Sequence, residues 1–173
     1  IKKIKNEVVQ DKYGNQTIAI HRGRLQKVLY DQLAQLNQVE LGQQYLTQTQ
    51  MNGKIQLHFK DKTLETDIVL GADGIHSKVR QYLFPGSTLR STHQICWRGI
   101  SRFELPASLK NKGKEAWGPN RRFGFSTISE SEVYWFAVTT LTESNQYADK
   151  GFIQHLFKGF SPIIGEIIQH TSY

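Results

Sequence analysis

With only one cysteine, Cys96, in 173 residues, the chain has no internal disulfide and a single thiolate. A disulfide scaffold and a cysteine-rich zinc site are thereby excluded, and reducing, cytoplasmic surroundings are the expectation. No apolar run approaches the roughly 20 residues that a membrane-spanning helix requires. HExxH, paired CxxC, GxSxG and GxxxxGK[ST] are all missing, and His21, His58, His76, His93, His155 and His170 show no ligand spacing. No metal site and no general base are therefore assigned.

Acidic residues are the scarcer charge: 15 against 22 Lys and Arg, a net +7. A basic face attracts phosphate. Here, though, the cations are scattered, with short groupings only at Lys2, Lys3, Lys5 and at Lys110, Lys112, Lys114. That scatter argues against a nucleic-acid partner. A hydrophobic fraction of 38% is ordinary for a folded soluble domain, and the length suits one domain or one and a half small ones. The first residue is Ile1 and a strand-like run, IKKIKNEVVQ, follows at once, so the expectation is a segment of a longer chain.

Spacing then sets the elements. Ile18 and Ile20 alternate, after which Leu25, Val28, Leu29, Leu33 and Leu36 fall at helical intervals, so a strand passes into a helix near Arg22 and ends about Asn37. Tyr45–Thr49, Lys54–Lys60 and Thr63–Leu70 are three strand-like runs separated by Asn52-Gly53 and Asp61-Lys62, a β-meander. The third run becomes continuously apolar at Ile68, Val69 and Leu70, the pattern of a strand covered on both faces. Ser77 suits the cap of a short helix that Pro85-Gly86 stops, which places a domain boundary near residue 86. Beyond it, Gln94–Phe103, Glu115–Trp117, Arg122–Ile128 and Val133–Leu141 are expected as a mostly antiparallel, aromatic-rich sheet. Helices are expected over Phe152–Phe157 and Ile163–His170.

Chemistry concentrates in Asp67–Arg80, DIVLGADGIHSKVR. A strand enters a Gly71-Ala72-Asp73-Gly74 turn and then a helix start, where backbone N–H groups can face an anion. All 14 positions resemble the DG fingerprint of the para-hydroxybenzoate hydroxylase family of FAD-dependent aromatic monooxygenases. Ile20–Leu33 is similar to that family's strand-to-helix segment, whose arginine reaches FAD from the helix start; here that residue is Arg22. Trp97-Arg98-Gly99, Trp117-Gly118, Arg122–Phe125 and Val133–Ala137 resemble the substrate-domain sheet of its salicylate hydroxylase and zeaxanthin epoxidase branch.

The resemblance implies an α/β fold. Residues 1–86 would be part of a glutathione-reductase-type FAD-binding domain, and 87–173 an α+β substrate-binding domain. It implies FAD held by Arg22, Asp73 and Gly74, with His76 and Arg80 as weaker candidates, and a substrate pocket that includes Arg98, Phe125, Tyr134 and Phe136. It also implies NAD(P)H and O2 as co-substrates for hydroxylating an aromatic or related ring through a flavin hydroperoxide, a species that needs a water-free pocket. Epoxidation or drug hydroxylation on the same scaffold, and a non-catalytic basic binding module, are the alternatives.

The residues leave several points open. Arg98 within an apolar strand costs several kcal/mol unless paired; it binds a carboxylate, contacts flavin, or sits at the strand end. Arg24 is expected to face solvent. Arg80 fits a helix-terminal salt bridge, and His76 a solvated loop. Either face of Val133–Val138 can line a pocket. The GxGxxG element and a later Gly-Asp segment, both part of the family pattern, are not among these residues, so weak FAD binding by residues 1–173 alone is expected, with Ile68–Leu70 left uncovered.

Overall fold

Helical structure starts earlier than the alternation suggests. In the computed structural model, which describes residues 6–15, 17–36, 39–142 and 147–172, Asn6–Tyr13 is a helix, α1. The strand-like reading of this run fails because Val8 and Val9 are adjacent, not alternating, and most neighbours are polar, so no apolar strand face exists. Gly14 closes the helix at φ 74°, donating to the Gln10 carbonyl at 2.7 Å, a left-handed cap that glycine adopts without a Cβ penalty. Residues 17–20 form no strand. A ladder needs a neighbour for its N–H and C=O groups; among the described residues none pairs with them, and Ile18 is exposed. Helix α2, Arg22–Ala34, follows and ends before the expected Asn37, which lies outside the described residues.

Two compact units result: Val28–Arg90, and the residues flanking it on both sides. The first contains β1 (Tyr45–Met51), β2 (Lys54–Phe59) and β3 (Thr63–Thr66), antiparallel in chain order. Asn52 and Gly53 both take positive φ, 53° and 76°, which matches the strand twist in a two-residue hairpin. Helix α3, Lys78–Leu83, packs on β1 and buries Val79. Expected strand Ile68–Leu70 is absent. With no paired strand beside it, Ile68 is 73% and Leu70 89% exposed, so their apolar continuity is not matched by cover on either face.

The second unit carries the larger core. Strands β4 (Gln94–Arg102), β5 (Lys114–Gly118), β6 (Arg121–Ser129) and β7 (Glu132–Thr140) form one antiparallel sheet in the order β4-β7-β6-β5. No parallel pair occurs in either sheet among the described residues. The fold is thus mixed helix and antiparallel sheet. Helices α4 (Lys150–Leu156) and α5 (Pro162–Gln169) supply the apolar partners of one sheet face.

Local sequence explains both helices. The Asp149 side chain caps α4 by accepting from Phe152 N–H at 2.8 Å, and Pro162 sits at the start of α5, where its missing donor costs nothing. Ile164, Ile167 and Ile168 then fall on one α5 face and are buried with Ile153, Phe123, Trp135 and Val133. Each such side chain contributes roughly 1.5–3 kcal/mol by leaving water.

Candidate functional site

The DG turn is held by its own side chains. Asp73 Oδ2 accepts from the backbone N–H of Lys78 at 2.7 Å and of Val79 at 3.4 Å, while Ser77 Oγ accepts from Arg80 N–H at 2.9 Å. The first amides of α3, free in an uncapped helix, are therefore satisfied within the turn. A hydrogen bond with Ser77 above all, and the backbone amides with it, holds the Asp73 carboxyl below the usual carboxylate range. Gly71 is needed for close approach, since a Cβ there would lie 2.9 Å from Val79 Cβ. Gly74 is needed for its φ of 78°, and the space where its Cβ would stand is open.

Arg80 makes no helix-terminal salt bridge among the described residues. Its guanidinium instead donates to the Ile75 carbonyl at 2.5 Å and ties the turn to the helix. His76 lies exposed in that turn.

At the first position of α2, the Arg22 side chain is exposed and has no ion pair among the described residues. Arg24 is not simply solvated: it meets Glu132 at 2.7 Å, a contact between positions 108 apart in sequence that spacing cannot reveal.

Register fixes the two faces of the larger sheet. Residues directly opposite in neighbouring strands share a face. One row across the sheet is Gly99, Trp135, Phe125 and Lys114. This face meets α4 and α5; Trp135 is 1% exposed, and its indole N–H donates to Thr171 Oγ1 at 2.7 Å. Phe125 belongs here, buried in the core, and does not share a face with the other expected pocket residues.

The opposite face carries the row Arg98, Phe136, Gly124 and Glu115, flanked by Ile100, Tyr134 and Ser126. Tyr134 and Phe136 are half-buried, with ring centroids 6.4 Å apart. Arg98 is exposed, so the burial cost expected for it is not incurred. Its Nε donates to Cys96 Sγ at 3.5 Å; that bond and the adjacent Tyr134 raise its pKa. No carboxylate pairs with it among the described residues, whereas Arg122 on the same face is paired with Glu115 at 3.2 Å. An open groove of about 460 Å³ runs along the end of this face past Gln94, Trp117, Arg122 and Val138.

Aurachin C monooxygenase/isomerase of Stigmatella aurantiaca is 30% identical over 160 residues, covering 91% of this chain and 42% of that protein. FAD-dependent monooxygenase esdpE of Penicillium shearii is 37% identical over 157 residues, covering 82% of this chain and 32% of that protein. The chain's relatives are FAD-dependent monooxygenases. The chain spans less than half the length of these relatives.

A crystal structure of Klebsiella pneumoniae HpxO complexed with FAD and uric acid shares the fold, with a TM-score of 0.79 at 19% identity, covering 95% of this chain and 43% of that one. No family model matches the chain.

Within the DG turn the backbone at Gly74 is exposed, whereas the α3 amides already bind Asp73 and Ser77. Sequence reasoning overlooked Gly99 and Gly124. Their signal was present, because an interior strand glycine beside aromatics marks a close approach.

Proposed function

We propose that this chain is a section of a flavoprotein monooxygenase that uses NAD(P)H and O2 to hydroxylate an aromatic or related ring. Residues 1–86 contribute to its FAD-binding domain and 87–173 form its substrate-binding domain. When bound, FAD accepts hydride from NAD(P)H and activates O2. The chain's own residues orient and exclude: Arg22 offers a planar, permanently charged fork to flavin or phosphate oxygens. Asp73 shapes the turn that presents Gly74, with Arg80 bracing it and His76 at its rim. Arg98, Tyr134 and Phe136 face the ring substrate, and Phe125 supports them from the core side of the sheet.

One observation carries the reading. In a chain matched over 91% of its length to a monooxygenase, the sheet seals one aromatic face against helices and leaves the other half-open, with an arginine on it that no carboxylate meets among the described residues. A dry aromatic surface is what such chemistry asks of the protein. The test is purification of the parent protein. Bound flavin, and oxygen uptake driven by NADH or NADPH that a ring compound accelerates, are expected; protein without flavin would overturn the proposal.

A further inference from the structure

Glycine interrupts two strands of the larger sheet, each time facing an aromatic ring on the neighbouring strand. A Cβ at Gly99 would lie 2.7 Å from the Trp135 indole, and one at Gly124 would lie 2.3 Å from Cε1 and Cζ of Phe136. Neither glycine has positive φ, so what each position requires is space, not an unusual backbone. The consequences differ by face. Trp135 is buried under α5 with its N–H bonded to Thr171, so Gly99 serves packing. Phe136 lies on the half-open face, opposite the one that α4 and α5 cover.

We infer that Gly124 is a positioning residue for substrate specificity. It lets the Phe136 ring lie flat against the sheet as a shelf beside Arg98, selecting a planar ring that bears an anionic or enolised oxygen.

The chemistry follows from the row itself. A ring lying low on the strand offers its face for stacking. The adjacent guanidinium, which has no carboxylate among the described residues, offers a fork to an oxygen in the plane of the stacked ring. Tyr134, 6.4 Å from Phe136 between ring centroids, bounds the shelf on one side. The groove past Trp117 and Val138 adjoins it on the other. A side chain at position 124 would tilt the ring up and occupy the place of the ligand.

This inference rests on the proposed monooxygenase reading, and the experiment separates the two. Flavin content and substrate-free NAD(P)H oxidation of the wild-type holoenzyme test that reading alone. The inference is tested by equilibrium binding of salicylate, cyclohexanecarboxylate and benzyl alcohol, followed through flavin absorbance without NAD(P)H.

Wild type is expected to bind salicylate at least tenfold more tightly than either control. Gly124→Ala should lose most of that preference with FAD retained. Phe136→Leu, which removes the ring and adds no atom against Gly124, should lose it equally. In the double variant the losses should not add, because the glycine acts only through the ring. Additive losses, unchanged salicylate preference in Phe136→Leu, or loss of FAD in place of substrate preference would overturn the inference.

Discussion

Asp73 accepts a hydrogen bond from the backbone N–H of Lys78 at 2.7 Å, closing the DG turn onto the helix that follows it. The aspartate of the fingerprint thus has a structural duty in this chain: it satisfies a helix start that would otherwise attract an anion. Any contact it makes with a cofactor is made by a carboxylate whose position is already fixed.

A pH dependence follows. The folded-state pKa of Asp73 is lowered, so its contribution is present above the pKa of the unfolded chain and is lost as pH falls through the folded value. Protection of the Lys78 and Val79 amides, their exchange rate set against the intrinsic rate at each pH, should fall at acid pH. Asp73→Asn, which keeps an oxygen acceptor without the titration, should flatten that dependence, while Asp73→Ala should leave the amides weakly protected at every pH.

Two glycine substitutions should move stability in opposite directions. Gly99→Ala drives a methyl group to within 2.7 Å of the buried Trp135 ring and should cost about 1–3 kcal/mol in urea denaturation. Gly165→Ala lies within α5, where no atom stands within 4 Å of the new Cβ, and should stabilise by about 0.5–1 kcal/mol.

Thr171 pins the turn after α5 to the core. Its hydroxyl accepts from the Trp135 indole at 2.7 Å and donates to the Ile167 carbonyl at 3.0 Å. Thr171→Val keeps the shape and strands a buried indole N–H, at a cost of about 1–3 kcal/mol. Lower denaturation midpoints with altered tryptophan emission are expected, and Thr171→Ser should recover most of the loss.

How legible these features were in the sequence depended on how local their causes are. Asn52-Gly53 and Ser77 carry their own turn and cap chemistry, and both act as their sequence implies. Val133–Val138 is apolar on both faces in sequence, and only the strand partners and helices decide that Val133, Trp135 and Ala137 form the buried one. Ile68–Leu70 and Ile18–Ile20 looked like strands because apolar continuity records what a segment is suited to, whereas a ladder also needs a neighbour. Arg98 seemed costly inside an apolar strand until register placed it on the open face. The Arg24–Glu132 pair, made by tertiary folding alone, left no local trace.

The proposed cofactor role turns most directly on Arg22. Flavin content of the purified parent protein, read from visible absorbance after gel filtration, should be near one per chain in wild type and clearly lower in Arg22→Ala, with the melting temperature of the flavin-free protein unchanged. Equal flavin retention in both proteins would contradict the assignment of this arginine, and flavin absent from wild type would contradict the account as a whole.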